Sequence, residues 1–589
     1  MLSTIESLSY DPNLVAIGLP TSKNKMTSSV DIAFNASETA RKKGVSPLDA
    51  ASELSDAIAT SDFFESATNV GAYVNMGLNY RSISSEVLSE IDFLGSRYGH
   101  FSGDGELVIV DFSSPNIAKN MTAAHLRSTV IGQSLVKIHQ AAGDITFGIN
   151  HIGDWGSQFG QIIYMYRREL EERGEEFLDE LNANPTATLM RIYRKFNEEK
   201  KSNPQSIEDA REIFLSLERG DPELIELWSQ FRRWSLSDFE SVYQRLRVEF
   251  DAIQGESFYE DRMRPAVSEG VEQGVLQLNS DSSVVLPSQP LVDSEGKTND
   301  KLMLDQDGQP RDEIIIKPSG GTTYLTRDLA AIRYRARELG ANKILYIIGK
   351  EQEVHCIELF NMAQQLGYLA LGAVQHVSFG HLNVDGRKMK SRSGEVVLLN
   401  DLINTAIEAA TADLMRRKSE KGEGEALDED EHEAARKIGL SALIFNDLSR
   451  NRRGDIEFGQ DFADTIASCG ALPIQYAYAR LRGLSSKLPE VLPEYDVPDA
   501  LAGEEKAVIL EMARLPIVVK NASERNIPHE LANYLTHLCQ LANNFYENCP
   551  VFSTQNGENR VFRARIVKSL QQVIENVSDL LHMELAGRI

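Results

Sequence analysis

The stretch that decides the fold reads E-L-V-I-V-D-F from Glu106 to Phe112 and continues S-S-P-N-I-A-K-N-M-T-A-A-H-L-R-S-T from Ser113 to Thr129. Its first seven residues are rich in β-branched side chains and read as a buried strand. A turn follows, then helical spacing from about Thr122 to Gln140. The next apolar run, I-T-F-G-I-N at Ile145–Asn150, reads as a second strand. Strand, helix and strand at this spacing make a βαβ unit, which implies a parallel sheet. Such sheets bind anions where a strand ends in a turn that opens a helix, because the helix's free N–H groups and dipole face the ligand. Lys119 and His125 are placed to add charge and donors. The same residues also fit an ordinary helix start, with Thr122 as N-cap and His125 on the surface.

On the N-terminal side, residues 1–100 read as a small α/β module. Val30–Gly44 has helical apolar spacing, with Lys and Arg before a terminal glycine. Ser46 is placed to cap a helix predicted from Pro47 to Ala59. Beyond the βαβ unit, Tyr164 to Phe250 is helical and densely charged, an insertion between the halves of the sheet. Residues 268–312 read as short strands and loops. E-I-I-I-K-P-S-G-G, from Glu313 to Gly321, is expected to return to the sheet as a strand. A helix from near Thr322 to near Gly340, a strand at Ile344–Gly349 and a further helix then follow. An acidic link, Glu420–Glu433, precedes a region of helical spacing to the end, in which Pro528 starts a new helix.

The chain has 589 residues, enough for about three or four domains. Its four cysteines, Cys356, Cys469, Cys539 and Cys549, form no C-x-x-C pair, so neither a zinc site nor a disulfide framework is expected and a reducing cytoplasm fits. No apolar run is long enough to span a membrane, and M-L-S-T-I-E-S-L-S-Y-D-P-N is no secretory signal. The formal net charge of −26 disfavours loose binding to polyanions, yet a local basic face is compatible with an acidic whole.

Three further constellations carry chemistry. In T-T-Y-L-T-R-D, Tyr324 and Asp328 stand four apart, so phenol and carboxylate share a helix face and can grip a planar cation. The alternative is a surface pair of Asp328 with Arg327 or Arg333. R-K-M-K-S-R-S-G, Arg387–Gly394, puts four cations in one short loop, suited to phosphate or simply to solvent. H-I-G-D-W-G-S-Q-F-G, His151–Gly160, packs three glycines, a histidine and an aromatic directly after a strand, a density that favours a ligand site at the sheet's carboxyl edge. Its bland reading is a turn with Trp155 in the core.

Taken together, D-F-S-S-P-N-I-A-K at Asp111–Lys119, H-L-R-S-T at His125–Thr129, N-H-I-G-D-W-G-S-Q-F-G at Asn150–Gly160, T-T-Y-L-T-R-D at Thr322–Asp328 and K-M-K-S-R-S-G at Lys388–Gly394 resemble arginyl-tRNA synthetase, a class I aminoacyl-tRNA synthetase. D-L-S-R-N-R at Asp447–Arg452, Q-Y-A-Y-A-R-L at Gln475–Leu481 and F-Y-E-N-C-P-V-F at Phe545–Phe552 resemble its helical anticodon-binding domain. The resemblance implies an α/β fold with a Rossmann-like catalytic domain at 101–432, carrying a helical insertion at about 164–266. It also implies a tRNA-contacting domain at 1–100 and an all-α anticodon-binding bundle at 433–589. It implies a two-step reaction of L-arginine, ATP with Mg²⁺ as a substrate complex, and tRNA(Arg), with tRNA needed for activation. No tightly bound cofactor, no metal site and no membrane are expected, and the chain is taken as a monomer. By matched position, Asp111, Ser114, Pro115, Asn116, His125, Tyr324, Asp328 and Gln352 would line the arginine site. Thr122, Ala124, His125, His151, Gly153, Asp154, Lys388, Met389 and Ser391 would meet the nucleotide, and His125, Lys119, Lys388 and Arg392 would act on its phosphates.

The sequence departs from that family at one telling place. The first class I signature is His-x-Gly-His; here it is Thr122-Ala123-Ala124-His125. The missing glycine puts a Cβ where an adenine ring lies against bare backbone, and the missing histidine removes a donor to phosphate. Two expectations stand beside ordinary arginine–tRNA ligation: a paralogue with altered adenylation, and a non-enzymatic arginine or tRNA binder.

Overall fold

The computed structural model describes residues 15–16, 32–103, 105–292, 296–299, 304, 308–370, 372–384, 387–388, 397–422, 424, 426–458, 470–552 and 557–587. At its centre is a five-stranded parallel sheet in the order Val374–His376, Lys343–Tyr346, Leu107–Asp111, Ile145–Asn150, Ala252–Ile253. Val108, Ile109 and Val110 are fully buried, as a strand covered on both faces requires. From Leu107–Asp111 the chain first steps to Ile145–Asn150 on one side and only later to Lys343–Tyr346 on the other. The switch point of the sheet therefore lies at the carboxyl end of Leu107–Asp111, where open α/β sheets bind ligands. Asp111 sits there, opposite Tyr346 and Ile149.

The helix Ala123–Ala141 is buried along most of its length. One side meets the sheet, and helices from the C-terminal region cover the other. Its close approach to the first strand needs Gly132, since a Cβ there would lie 2.2 Å from the Phe112 ring. The insertion is five helices, Gln158–Arg173, Glu175–Ala183, Pro185–Glu199, Gln205–Glu218 and Pro222–Leu246. Proline at the first position, with Asn184 or Asp221 accepting from the first-turn N–H groups, starts the third and fifth. The N-terminal module is an antiparallel sheet with helices Ser37–Lys43, Pro47–Ile58 and Tyr80–Leu94. The C-terminal region opens with a hairpin of helices, Leu399–Glu420 and Glu429–Leu448, and ends in five more from Ala471 to Leu580. No helix of the described residues is long and apolar enough to cross a membrane.

Three expectations about local structure are corrected. Val30–Gly44 is not one helix: Ile32–Asn35 is a strand paired with Tyr73–Met76, and only Ser37–Lys43 is helical, closed as expected by Gly44 at φ 70°. Tertiary pairing of I-A-F-N overrides its helical spacing. Glu313–Ile316 is a strand but not of the parallel sheet; it pairs antiparallel with Val284–Leu286, and Ile314 faces solvent. The chain instead rejoins the main sheet at Ala252–Ile253, inside the span read as helical insertion. Two residues are too short a run for any periodicity to reveal.

Candidate active site at the carboxyl edge of the parallel sheet

After Asp111 the backbone enters left-handed conformations at Ser113 (φ 71°), Ser114 (φ 48°) and Ala118 (φ 58°), all costly for residues with a Cβ. A dense network holds this turn. The Ser113 N–H donates to Ser128 Oγ at 2.9 Å, and the Ser114 N–H donates to Asn150 Oδ1 at 3.1 Å. Tyr243, from the last insertion helix, bridges Ser113 Oγ at 2.8 Å and Asn150 Nδ2 at 3.0 Å. The insertion thus helps to shape the turn. Asn150 and Tyr243 escape sequence reading because their partners are set only by the fold.

Pro115, Asn116 and Gly153 form one unit. The Gly153 N–H donates to the Pro115 carbonyl and its own carbonyl accepts from Ile117. A Cβ on Gly153 would fall 2.0 Å from Asn116 Oδ1, so the glycine leaves room for that amide. Ser114 Oγ donates to Asp111 Oδ1 at 3.0 Å. Asp111 itself is not a free acid: its Oδ2 meets the buried Arg335 guanidinium at 2.8 Å, so its reading as a second substrate-binding carboxylate is corrected. His151 stacks on Tyr259, with centroids 5.3 Å apart, and Arg335 donates to its Nδ1 at 3.1 Å. Burial pushes the His151 imidazole below its ordinary range, so it is neutral near pH 7.

Asp154 is also corrected. It is fully buried, and its carboxylate accepts from Arg232 Nε at 2.8 Å and from both the N–H and hydroxyl of Ser257 at 2.9 and 2.8 Å. It anchors the insertion and has nothing left for a nucleotide. Trp155 follows its bland reading, edge-on to Trp228 and Phe214 in the core.

Asp328 lies at the same edge, pairing with neither Arg327 nor Arg333. Its Oδ2 meets His355 Nε2 at 2.6 Å. Burial works to raise the Asp328 carboxyl, but the His355 hydrogen bond and charge, with His151 and Arg335 nearby, hold it below the usual aspartate range. Burial works against a charged His355, and Asp328 outweighs it, so that imidazole is pushed up. Tyr324 does not join them: it is 69% exposed and its ring lies 5.4 Å from the Arg327 guanidinium. Gln352 is exposed in the turn Lys350–Gln352 that opens the His355 helix.

The sequence reading missed Glu256. One of its carboxylate oxygens is buried with no hydrogen-bond partner, 3.9 Å from Arg327. Burial pushes the carboxyl up to about 7; Arg327 opposes this, while Asp328 and Asp154 add to it. An orphaned acid beside Asp328 is the mark of a place made for a cation. Its local signal, Q-G-E-S-F at Gln254–Phe258, has no distinguishing spacing.

The phosphate side is built differently. Thr122 precedes the helix Ala123–Ala141 and its backbone N–H donates to His125 Nδ1 at 3.0 Å. That bond leaves the proton of a neutral imidazole on Nε2. Burial lowers the His125 pKa, a backbone hydrogen bond from Thr122 opposes this, and the Lys119 charge lowers it further. Ala124 is exposed on the first turn. A cavity of about 460 Å³ has Asn116, Lys119, Thr122 and His125 on one wall. Tyr193, Arg194, Asn197 and Lys201 of the third insertion helix form the other. Its lining does not include Tyr324, Asp328 or Gln352. Of the basic loop, Lys388 is placed only in its backbone, paired with Asn383, and Met389, Ser391 and Arg392 lie outside the described residues. Both ends of that loop are nonetheless fixed. Beyond it, Ala123 donates to the Val397 carbonyl at 3.0 Å and Leu399 to the Met121 carbonyl at 2.9 Å.

A parallel sheet with its ligand edge at a strand–turn–helix junction, and a helical C-terminal region, define a class I synthetase architecture. The catalytic domain of the class I tRNA synthetases for arginine matches residues 88–460, and the DALR anticodon binding domain matches 474–589. The arginine–tRNA ligase of Clostridium botulinum (strain Alaska E43 / Type E3) is 33% identical, over 95% of this chain and 94% of that one. The arginine–tRNA ligase of Streptococcus mutans is 32% identical over 95% and 94%. The Thermus thermophilus arginyl-tRNA synthetase structure superposes with a TM-score of 0.78 at 20% identity, covering 100% of this chain and 98% of that one. The chain belongs to the arginyl-tRNA synthetase family of class I aminoacyl-tRNA ligases.

Proposed function

We propose that the chain joins L-arginine to tRNA(Arg) in two steps. The arginine carboxylate attacks the α-phosphate of ATP, giving arginyl-adenylate and pyrophosphate; a terminal ribose hydroxyl of the tRNA then attacks the arginyl carbonyl and AMP leaves. No nucleophile from the protein is required, so its work is position and charge stabilisation. The observation that carries this reading is the pair of acids at the sheet edge, Asp328 and the partnerless Glu256. A guanidinium bound there meets Glu256 and the Asp328 oxygen not held by His355. A rival lacking the planar fork leaves buried oxygens unpaired, which discriminates strongly. Asn116 and Gln352, both exposed at the edge, are the candidates for the α-amino and carboxylate groups.

ATP, with Mg²⁺ supplied as its counter-ion, fits the cavity beside Thr122 and His125. There His125 Nε2–H donates to a phosphate oxygen and Lys119 supplies charge. The Lys388 loop completes this end, since the segments flanking it are tied to residues 121–123 and 383–384. The tRNA lies on the helical region and, with the division at 1–100, 101–432 and 433–589, on the N-terminal module. A monomer suffices for this reading.

One observation favours a second reading. Thr122 brings no cation, and Ala124 presents a methyl on the exposed first turn. A paralogue with slowed or altered adenylation would carry such a signature. Arginine-dependent ATP–pyrophosphate exchange, with and without tRNA, tests both. Exchange at several turnovers per second with tRNA supports ligation. Tight tRNA and arginine binding without exchange refutes it and leaves a binder.

A further inference from the structure

Arg127 stands two residues beyond His125 on the same helix and is fully buried. Its donors reach three separate pieces of chain. Nε donates to the Asp447 oxygens at 3.0 and 3.3 Å. One terminal nitrogen donates to the carbonyls of Gly380 and Gly454 at 2.8 and 2.9 Å, and the other to that of Arg452 at 3.2 Å. Asp447 lies in the last turn of the Glu429–Leu448 helix. Gly380 precedes the strand Leu382–Val384, whose antiparallel partner Arg387–Lys388 opens the basic loop. Arg452 and Gly454 lead into Ile456–Phe458, the parallel neighbour of Leu382–Val384. These segments are stitched together: Gly380 donates to the Arg452 carbonyl and Ile456 to the His381 carbonyl, both at 2.9 Å. They approach so closely that a Cβ on Gly380 would lie 2.4 Å from the Gly454 oxygen.

We propose that Arg127 is the positioning residue that couples the helical region and the root of the basic loop to the His125 helix. A polynucleotide docked on the helical region then sets the alignment of the two phosphate-binding elements. The inference rests on the ligation reading above, because it needs a polynucleotide on that region. The guanidinium is suited to this by its planar fork, which fixes five donor directions at once; lysine keeps the charge opposite Asp447 but holds no such geometry. A small shift of the 447–454 segment rotates the fork and, through it, a rigid helix whose first turn carries His125. Misplacement on the scale of an ångström is enough to slow chemistry greatly.

The test compares wild type, Arg127→Lys and Asp455→Ala by ATP–pyrophosphate exchange with and without tRNA, with active sites counted by the burst of adenylate. Asp455→Ala loosens the same junction from its half-exposed side, where the carboxylate accepts from the His381 N–H at 2.8 Å and from Lys350 at 2.6 Å. It is a safeguard should Arg127→Lys fail to fold. The expected result is a rate per active site lowered at least about tenfold in Arg127→Lys and about threefold in Asp455→Ala, with KM for arginine within about twofold of wild type. Stimulation by tRNA should fall towards unity in both. Fewer active sites or a lower melting temperature, with unchanged rate per site and unchanged tRNA stimulation, overturns the proposal and makes Arg127 a stability residue. Wild type that fails to exchange with arginine removes the ligation reading and this proposal together; wild type that charges normally while both variants keep full coupling removes this proposal alone.

Discussion

Around Asp328 the polar groups come from three distant segments: Glu256 after the sheet's last-joined strand, Asp328 on the helix Tyr324–Arg337, and His355 on the helix Glu353–Gln365. Around His125 they come from one turn and the first turn of one helix, much of it backbone. The acid side is partly buried, charged and specific in side-chain identity. The phosphate side is open, and its donors are helix N–H groups, one imidazole and cations on mobile stems. The difference teaches why the two tolerate change unequally. A buried acid has no substitute when its charge is removed. A phosphate can be met by several neighbouring donors, so Thr122 and Ala124 can stand where histidine and glycine are usual without emptying the site.

The sharpest way to break this contrast is Asp328→Asn. Removing one partner of a buried, hydrogen-bonded charge pair is expected to cost ~4 kcal/mol, about a thousandfold in kcat/KM for arginine. KM for ATP should move less than about twofold, since that substrate lies in a different part of the site. Exchange kinetics over a range of arginine and ATP concentrations give both numbers. A loss below tenfold would mean that the guanidinium is held elsewhere.

On the phosphate side, Thr122→His/Ala124→Gly is expected to raise the exchange kcat. One restored donor to the transition state is worth ~3 kcal/mol, about a hundredfold. The glycine has its own cost: on an exposed helical turn it destabilises by about 0.5–1 kcal/mol, so the melting temperature should drop slightly while the rate rises. An unchanged rate would show that His125 and Lys119 already meet the phosphates fully.

Much of this contrast was legible in the sequence, and the limits of that legibility are physical. Asp328 could be singled out because an i, i+4 pair shares a helix face whatever the fold. The strand–turn–helix at Leu107–Ala141 could be read because it is local. Glu256 could not, because what marks it is the lack of a partner, which exists only once Arg327 and Asp328 are packed nearby. Asp154 and Asp111 misled for the converse reason. Each is a carboxylate in a motif at the ligand edge, but Arg232 and Ser257 satisfy the one, and Arg335 and Ser114 the other. Strand order was illegible where runs were two to four residues long, as at Ala252–Ile253 and Glu313–Ile316.

Glu256→Gln carries the next effect in size and a pH signature. The ligand-free carboxyl is pushed up to about 7 by burial, against Arg327 and with Asp328 and Asp154. A guanidinium favours the ionised form, so at pH 8 arginine binds without displacing a proton. Below about 7 each binding event must release one, and KM for arginine should climb towards tenfold per pH unit. The glutamine variant should show KM raised about tenfold at pH 8, the worth of one charge-assisted hydrogen bond, and a flatter profile down to pH 6. A wild-type profile flat from pH 8 to pH 6 would place Glu256 outside the site.

Tyr324 gives the smallest expected effect and the most informative one for how the acid side is completed. Its ring is exposed and rests on Arg327, which in turn faces Glu256 at 3.9 Å. The hydroxyl touches nothing that binds arginine in this arrangement, so Tyr324→Phe should change KM for arginine less than about threefold, the scale of an ordinary surface substitution. Tyr324→Ala removes the ring from Arg327 and frees that guanidinium to move onto Glu256, where it would compete with the substrate. Its KM should therefore exceed that of the phenylalanine variant. If the phenylalanine variant instead loses tenfold or more, the phenol must swing onto the bound amino acid, and the helix beginning at Tyr324 closes over arginine rather than merely presenting Asp328 to it.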